Sequence, residues 1–324
     1  MNGKLLECGV PQGSLTGPLL FNIFINDLLF FTENVCSVYN YADDNSLAYQ
    51  HKDPDILVNV LENASTIAID WFNDNFMQAN PSKFQAITLC GRNPNRDLVF
   101  QVNGATIPSL PEVKLLGVTI DNKLSFIPHV SNVCQKASKQ VNALSRLSKY
   151  LSYKSRFNVY NAFVRSNFTY CSSVYYKTGR TNERKLEKVH ERAIRAVAND
   201  FTSPYSDVLS RCNVLMFYDQ HEMIFIEHVF KVINGAAPPI PKDFYVMRNS
   251  GYNLRDNSQL KHANFNRVTY GFNSLHMQGA ILWNHLPCEL KDAESLSVFK
   301  TRLKMFKSIS DCSCGTCFKC TYRV

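Results

Sequence analysis

Two adjacent carboxylates, Asp43 and Asp44, close the run Tyr41-Ala42-Asp43-Asp44. On the near side, Val35 to Tyr41 is short and rich in β-branched and aromatic residues; on the far side, Ser46-Leu47-Ala48-Tyr49 resumes the pattern. With Asp and Asn crowded between them, these runs predict a β-hairpin carrying both carboxylates at its tip. Like charges side by side are costly unless something positive neutralises them. Mg²⁺ is the usual partner of paired hard oxygen ligands, and it binds through one or two carboxylates plus substrate phosphates. Such a pair suits a two-metal phosphoryl-transfer centre, in which ions about 3.5–4 Å apart clamp the attacking and leaving oxygens. An isolated Asp-Asp is equally what a solvated acidic turn looks like, so the surroundings must decide.

Upstream, Gly9-Val10-Pro11-Gln12-Gly13-Ser14-Leu15-Thr16-Gly17-Pro18 is a loop punctuated by three glycines and two prolines. It runs into the apolar segment Leu19 to Leu28, where Pro18 suits the first turn of a helix. The glycines let a ligand or another backbone approach closely. Downstream lie Asn80-Pro81-Ser82-Lys83 and Val113-Lys114-Leu115-Leu116-Gly117-Val118.

In this order the four motifs resemble those of the reverse transcriptase of non-LTR (LINE-type) retrotransposons, most like the jockey and chicken-repeat groups. The loop-helix run from Gly9 to Leu28 is similar to the family's motif B, the Tyr41–Asp44 run to motif C, Asn80–Lys83 to motif D and Val113–Val118 to motif E. The resemblance implies that Asp43 ligates Mg²⁺, with Asp44 its less constrained neighbour. It implies that Gly9, Pro11, Gln12, Gly13, Ser14 and Tyr41 line the incoming-nucleotide and template pocket. Lys83 would be the general acid that donates a proton to the leaving pyrophosphate, where charge builds. The implied fold is α+β: a partial polymerase palm over residues 1–120, with an antiparallel sheet and helices, then a helical thumb over 121–205 and a mostly helical C-terminal extension over 206–324. The implied activity is RNA-directed DNA synthesis, adding deoxynucleotides from their triphosphates to a DNA primer on an RNA template.

One departure matters. The family's third carboxylate comes from motif A, upstream of motif B, yet only eight residues precede Gly9 and Glu7 is the sole acid among them. The expectation is a fragment that does not polymerise alone. A reading from another class stays open beside it: a non-catalytic, nucleic-acid-binding remnant of such an element.

The elements that must position these residues are legible from periodicity. Asp53-Pro54 opens a helix with apolar residues from Ile56 to Phe72 at spacings of three and four. Strands are expected over Ala86–Cys90, Leu98–Val102 and Ala105–Ile107, the last two joined by Asn103-Gly104, with Val113–Ile120 completing the set. Beyond Asp121 the pattern turns helical. One stripe is Val130, Val133, Ala137, Val141, Leu144 and Leu147. A second helix over Lys154–Asn167 would bury Phe157, Tyr160, Phe163 and Val164, and a third spans Glu183–Ala198. Lys136, Lys139, Lys185 and Lys188 fall outside the apolar stripes and are candidates for nucleic-acid backbone contacts; pairing with Glu183, Glu187 and Glu191 is the alternative. Met216–Asn234 reads as a helix ended by Gly235, and Val298–Ile309 as a short basic one. The stretch from Leu275 to Pro287 resembles a recurrent C-terminal patch of these elements, and Trp283 reads as packing.

Charge divides the chain in the same place. Residues 1–120 carry 6 Lys/Arg against 12 Asp/Glu, and residues 121–324 carry 29 against 15, within a net charge of +8. An acidic part built around metal-binding carboxylates and a basic part able to track phosphates suit a polymerase. Four of the 11 cysteines, Cys312, Cys314, Cys317 and Cys320, fall within nine residues. Four soft thiolates suit tetrahedral Zn²⁺, although the spacing is tight for a structural site; a reduced tail without metal is the alternative. No segment reaches the length of a transmembrane helix and no signal-peptide core is evident, so a cytoplasmic or nuclear location is expected and no membrane partner.

Overall fold

The computed structural model describes residues 13–89, 98–237, 244–248, 258–262, 264–265 and 268–309. Two compact units divide the chain, residues 1–113 and 114–324.

In the first unit, α1 (Gly17–Ile25) and α2 (Asp27–Thr32) precede the antiparallel hairpin of β1 (Ser37–Tyr41) and β2 (Asp44–Ala48). Helix α3 (Pro54–Asp74) starts where expected, with Asp53 as N-cap accepting from the Asp55 N–H at 2.9 Å. It organises the unit by facing two ways. Ile69 packs with Leu98, Phe100, Val102 and Ile107 of the hairpin β3 (Val99–Val102) and β4 (Ala105–Pro108). Ala68 and Trp71 pack instead with Ile25 and Leu28 of the first two helices. Glu62 ties α3 to β3 by accepting the Gln101 N–H at 2.6 Å. At Asn103-Gly104 both residues take positive φ, 50° and 75°, as a two-residue hairpin turn requires. Of the strand expected over Ala86–Cys90, the described residues 86–89 form one parallel bridge, Ala86 to Ser109, and Cys90 lies outside the described residues.

Val113–Ile120 is a hairpin rather than one strand: β5 (Glu112–Leu115) pairs with β6 (Val118–Asp121). The chain reverses at Leu116 (φ 46°) and Gly117 (φ 84°), and apolar Leu116 conceals that turn in the sequence.

The second unit is helical: α4 (Ile127–Leu147), α5 (Tyr153–Val159), a π-turn (Tyr160–Arg165), α6 (Ser166–Thr169), α7 (Arg180–Ala198), α8 (Tyr205–Cys212), α9 (Phe217–Ile233), α10 (Leu275–Asn284), α11 (Cys288–Lys291) and α12 (Leu296–Ile309). Asp121 launches α4: its buried carboxylate accepts from the N–H groups of Ser125 and Phe126 and from the Ser125 hydroxyl. The stripe Val130, Val133, Ala137, Val141 and Leu144 is buried as expected, and so are Leu186, Val189, Ala193, Ile194 and Val197 of α7. Leu147, at the last position of α4, is half exposed instead. Phe163 is also outside the core, at 57% exposure, because the π-turn inserts a residue and rotates the face that α-helical spacing would bury.

A second core forms around Phe225, Val229, Phe230, Trp283, Phe299 and Leu303, so Trp283 is packing, with its indole N–H donating to Ser258 O at 2.8 Å. The structure also explains the Leu275–Pro287 patch. Ser274 caps α10 by accepting the Met277 N–H at 3.2 Å. Asn284 takes the Leu260 N–H on Oδ1 at 2.7 Å and returns Nδ2–H to Leu260 O at 3.0 Å, so one side chain completes a backbone ladder. Gly279 lets the Tyr245 ring lie against the helix, since a Cβ there would sit 2.1 Å from the Tyr245 hydroxyl. Gly279→Ala is therefore expected to destabilise the second unit by about 1–3 kcal/mol through overpacking, read as a lower chemical-denaturation midpoint at unchanged slope. Lys307 was expected on a basic helical face. It is buried (5%) against Glu222 (4%), and the two form an ion pair.

His221 gives this unit a pH dependence. Burial lowers its pKa to about 4, outweighing the Nε2–H bond donated to Phe168 O at 2.8 Å, which favours the charged ring. The unfolded chain takes up the proton near pH 6.5 and the folded one only near pH 4, so stability falls as pH drops through that interval, by at most about 1.4 kcal/mol per pH unit. His221→Gln is expected to flatten the slope of unfolding free energy over that window; an unchanged slope would assign the acid sensitivity elsewhere.

Candidate catalytic hairpin and nucleic-acid interface

The β1–β2 hairpin is tighter than the sequence suggested. Tyr41 pairs with Asp44 across a two-residue loop, Ala42-Asp43, so Asp43 lies in the turn and Asp44 opens β2. Ala42 takes φ 51°, a conformation that costs an L-residue with a Cβ roughly 1–2 kcal/mol. Tyr41, Asp43 and Asp44 are all exposed. Asn45 donates Nδ2–H to Asp43 O at 3.3 Å, which steadies the turn. One step down the ladder Asn40 faces Asn45. Asn40 Oδ1 and Nδ2 and Asn45 Oδ1 are enclosed, yet without a hydrogen-bond partner among the described residues.

Ahead of the hairpin, Gly13 adopts φ 82° and the Ser14 hydroxyl accepts the Gly17 N–H at 3.0 Å, turning the chain into α1. Gly9, Pro11 and Gln12 lie outside the described residues, as do Cys312, Cys314, Cys317 and Cys320. Lys83 ends a 3-10 turn, Pro81–Lys83, set by Asn80 Oδ1 accepting from the Ser82 N–H (3.1 Å) and hydroxyl (2.7 Å). The Lys83 side chain is exposed, and among the described residues no ion pair joins it to Asp43 or Asp44. Nor do three or more His, Cys, Asp or Glu side chains among the described residues converge as a metal-ligand set. What the hairpin offers is two solvent-open carboxylates with hard oxygen donors.

In the second unit, Lys136 and Lys139 of α4 and Lys185 and Lys188 of α7 are all exposed. Cross-helix pairs fix how the two helices run. Arg192 Nη2–H donates to Asn142 Oδ1 at 2.6 Å, and the Ser148 hydroxyl donates to Asn199 Oδ1 at 3.1 Å. Burial raises the Cys134 thiol to about pKa 11, a shift the charge of Lys185 partly opposes, so Lys185 lies near Cys134. Residue numbers rise together in all three pairs, so α4 and α7 run parallel with their ends level. Lys139 is one turn before Asn142, and Lys188 and Lys185 are one and two turns before Arg192, so these three cations lie toward the edge that the Arg192–Asn142 bond defines, whereas Lys136 lies about 120° round α4 from Asn142.

The glutamates of α7 leave these lysines alone. Glu191 pairs with Arg195 at 2.8 Å, while Glu187 accepts from the Tyr205 hydroxyl at 2.8 Å and the Phe217 N–H at 3.0 Å. Among the described residues, no ion pair engages Lys136, Lys139, Lys185 or Lys188. Arg156, which sequence reasoning did not single out, closes the C-terminal ends of both helices. Its guanidinium donates to Val197 O (2.7 Å), Ser148 O (2.8 Å) and Leu151 O (2.7 Å). No spacing rule announces an Arg that serves carbonyls 41 residues away.

The chain thus presents a carboxylate hairpin on a small α+β unit, followed in sequence by a helical unit. Residues 2–120 match the family model for reverse transcriptase (RNA-dependent DNA polymerase), so that stretch of the chain is similar to a reverse transcriptase domain. Its relatives are polymerases of non-LTR retrotransposons. It is 26% identical over 204 residues to the RNA-directed DNA polymerase from mobile element jockey of Drosophila melanogaster, covering 60% of this chain and 22% of the relative. It is 24% identical over 207 residues to the probable RNA-directed DNA polymerase from transposon BS of the same organism, covering 60% and 23%. The putative 115 kDa protein in type-1 retrotransposable element R1DM is 24% identical over 173 residues, covering 52% and 17%. The chain thus spans less than a quarter of the length of these relatives. No solved structure matches. No helix among the described residues is long and apolar enough to cross a membrane.

Proposed function

We propose that this chain is the palm-and-thumb portion of an RNA-directed DNA polymerase of a non-LTR retrotransposon, with palm over residues 1–120, thumb over 121–205 and a C-terminal extension over 206–324. The observation that carries the reading is the tight hairpin presenting Asp43 and Asp44 to solvent within the reverse transcriptase match. Two exposed carboxylates fit Mg²⁺, which keeps several waters and binds protein through one or two carboxylates alongside substrate phosphates. Asp43 holds the ion and Asp44 supports it; when bound, the ion neutralises charge developing on the transferred phosphoryl group. Lys83 supplies the proton for leaving pyrophosphate, and the loop from Gly9 to Ser14, with Tyr41, orders the deoxynucleotide against the template. Lys136, Lys139, Lys185 and Lys188 grip the backbone of the RNA template and DNA primer. Such work belongs in the cytoplasm or nucleus. A Zn²⁺ ion on Cys312, Cys314, Cys317 and Cys320 remains part of this proposal on donor chemistry alone.

Two carboxylates are one short of the set that two-metal nucleotidyl transfer uses in this family. The purified chain, given a primed RNA template, deoxynucleoside triphosphates and Mg²⁺, is therefore expected to bind the duplex yet extend no primer. Mn²⁺, a paramagnetic stand-in, should bind weakly and lose that site in Asp43→Asn. Primer extension abolished by Asp43→Asn would show that another acid completes the set. Mn²⁺ binding indifferent to Asp43 would remove the hairpin from the catalytic reading.

A further inference from the structure

A cleft in the second unit is lined by residues that belong neither to the carboxylate hairpin nor to α4 or α7. They are Val246, Met247, Arg248, Gln259, Leu260, Lys261, His262 and Asn284, and the cleft offers about 580 Å³, open to solvent. Its walls are two short paired segments, bridged at Met247 and Leu260, with Arg248 N–H donating to Gln259 O at 2.7 Å and Lys261 N–H to Val246 O at 2.9 Å. The same Asn284 that clamps Leu260 forms the floor, so the site is held by the second core through α10.

The chemistry of the lining is one-sided. Arg248, Lys261 and His262 are basic; among the described residues no acidic side chain lines the cleft and no ion pair neutralises Arg248 or Lys261. Asn284 engages His262. Its Oδ1 is taken by the Leu260 N–H, so Nδ2 faces His262 Nε2 at 3.0 Å and donates to it. With Nε2 taken by Asn284, Nδ1 is the ring nitrogen left for a ligand. Val246, Met247 and Leu260 add an apolar wall. The volume lies in the range of small-molecule sites, about 300–1,000 Å³, and is too small to admit a duplex.

We infer that this cleft binds a single nucleotide, its phosphate held by Arg248 and Lys261, its sugar hydroxyl or base edge by His262 Nδ1, and its base against Val246 and Met247. The nucleotide is either free or an unpaired residue of a single strand; the phosphate and apolar-base chemistry is common to both. This goes beyond the polymerase reading, because neither the carboxylate hairpin nor the lysine seam takes part.

The test uses the full chain with two probes, a labelled single-stranded RNA of about ten nucleotides and the mononucleotide AMP. The double variant Arg248→Ala/Lys261→Ala is compared with the cavity-filling Val246→Trp, each checked by circular dichroism for native helicity. The double variant should bind the RNA at least about 10-fold more weakly, with a salt slope reduced by about 0.7, the contribution of the one single-strand phosphate that Arg248 and Lys261 share. Val246→Trp should weaken binding while leaving the slope near wild type. AMP binding lost in both variants supports the site with a free nucleotide as occupant. RNA binding lost without any AMP binding supports it with an unpaired strand residue as occupant. Both variants binding both probes as wild type does, with native helicity, overturns the inference. Lys185→Glu/Lys188→Glu should leave AMP binding untouched and lower duplex affinity, so failure of the polymerase reading is distinguishable from failure here.

Discussion

Reversing charge at Lys136, Lys139, Lys185 and Lys188 to Glu is expected to lower affinity for a primer–template duplex by about 100-fold or more at 0.1 M salt, with a salt slope shallower by roughly 3.6, about 0.9 for each phosphate no longer neutralised. The four are exposed on one pair of parallel helices and outside every ion pair among the described residues. Because Glu191 and Glu187 are committed to Arg195, Tyr205 and Phe217, the lysines are available to an external polyanion. Filter binding or fluorescence anisotropy across a salt series measures both quantities. An unchanged affinity and slope would reduce the seam to a solvated face.

Arg156→Ala is expected to cost the second unit about 4 kcal/mol, since three carbonyls lose charge-assisted donors worth roughly 1.5–3 kcal/mol each and the losses do not add fully. For a unit of this size that corresponds to a fall in Tm of roughly 8–16 °C. Arg156→Lys should recover less than half, because a single ammonium cannot span three carbonyls as the guanidinium fork does. Thermal melts by circular dichroism at 222 nm, whose signal this helical unit dominates, read the difference. A loss below about 1 kcal/mol would mean that water replaces the guanidinium at those helix ends.

What the sequence revealed and what it hid follow from range. Asn103-Gly104 and Asp53-Pro54 are local signals, and both formed the turn and helix start that their chemistry favours. The apolar stripes of α4 and α7 were legible because 3.6-residue periodicity survives wherever the helix is regular. Phe163 escaped that logic because the π-turn over Tyr160–Arg165 breaks the period, and nothing in those residues announces it. Leu116 hid a turn because apolar residues at positive φ carry no warning. Lys307 reads as solvated, and its partner Glu222 lies 85 residues away. In the site, the flanking β-branched and aromatic runs placed Asp43 and Asp44 at a hairpin tip, but not the tightness of the turn, which rests on Ala42 accepting a strained φ. Asn284, Gly279 and Arg156 act on distant backbone or side chains, so no local pattern marks them.

The parallel pairing of α4 and α7 has an electrical consequence. Most neighbouring helices in a bundle run antiparallel and their macrodipoles cancel; here they add. Each helix carries roughly half an elementary charge at either end, so the end holding Ile127 and Arg180 presents about one full positive charge from backbone alone. At the opposite end, Arg156 sits on the carbonyls where the matching negative charge gathers and offsets it. That added positive charge acts within about the first turn, so it reinforces the lysines chiefly at the end nearest Ile127 and Arg180. A polyanion lying on them meets attraction throughout, strongest at one end, which gives an otherwise sequence-blind grip a built-in direction.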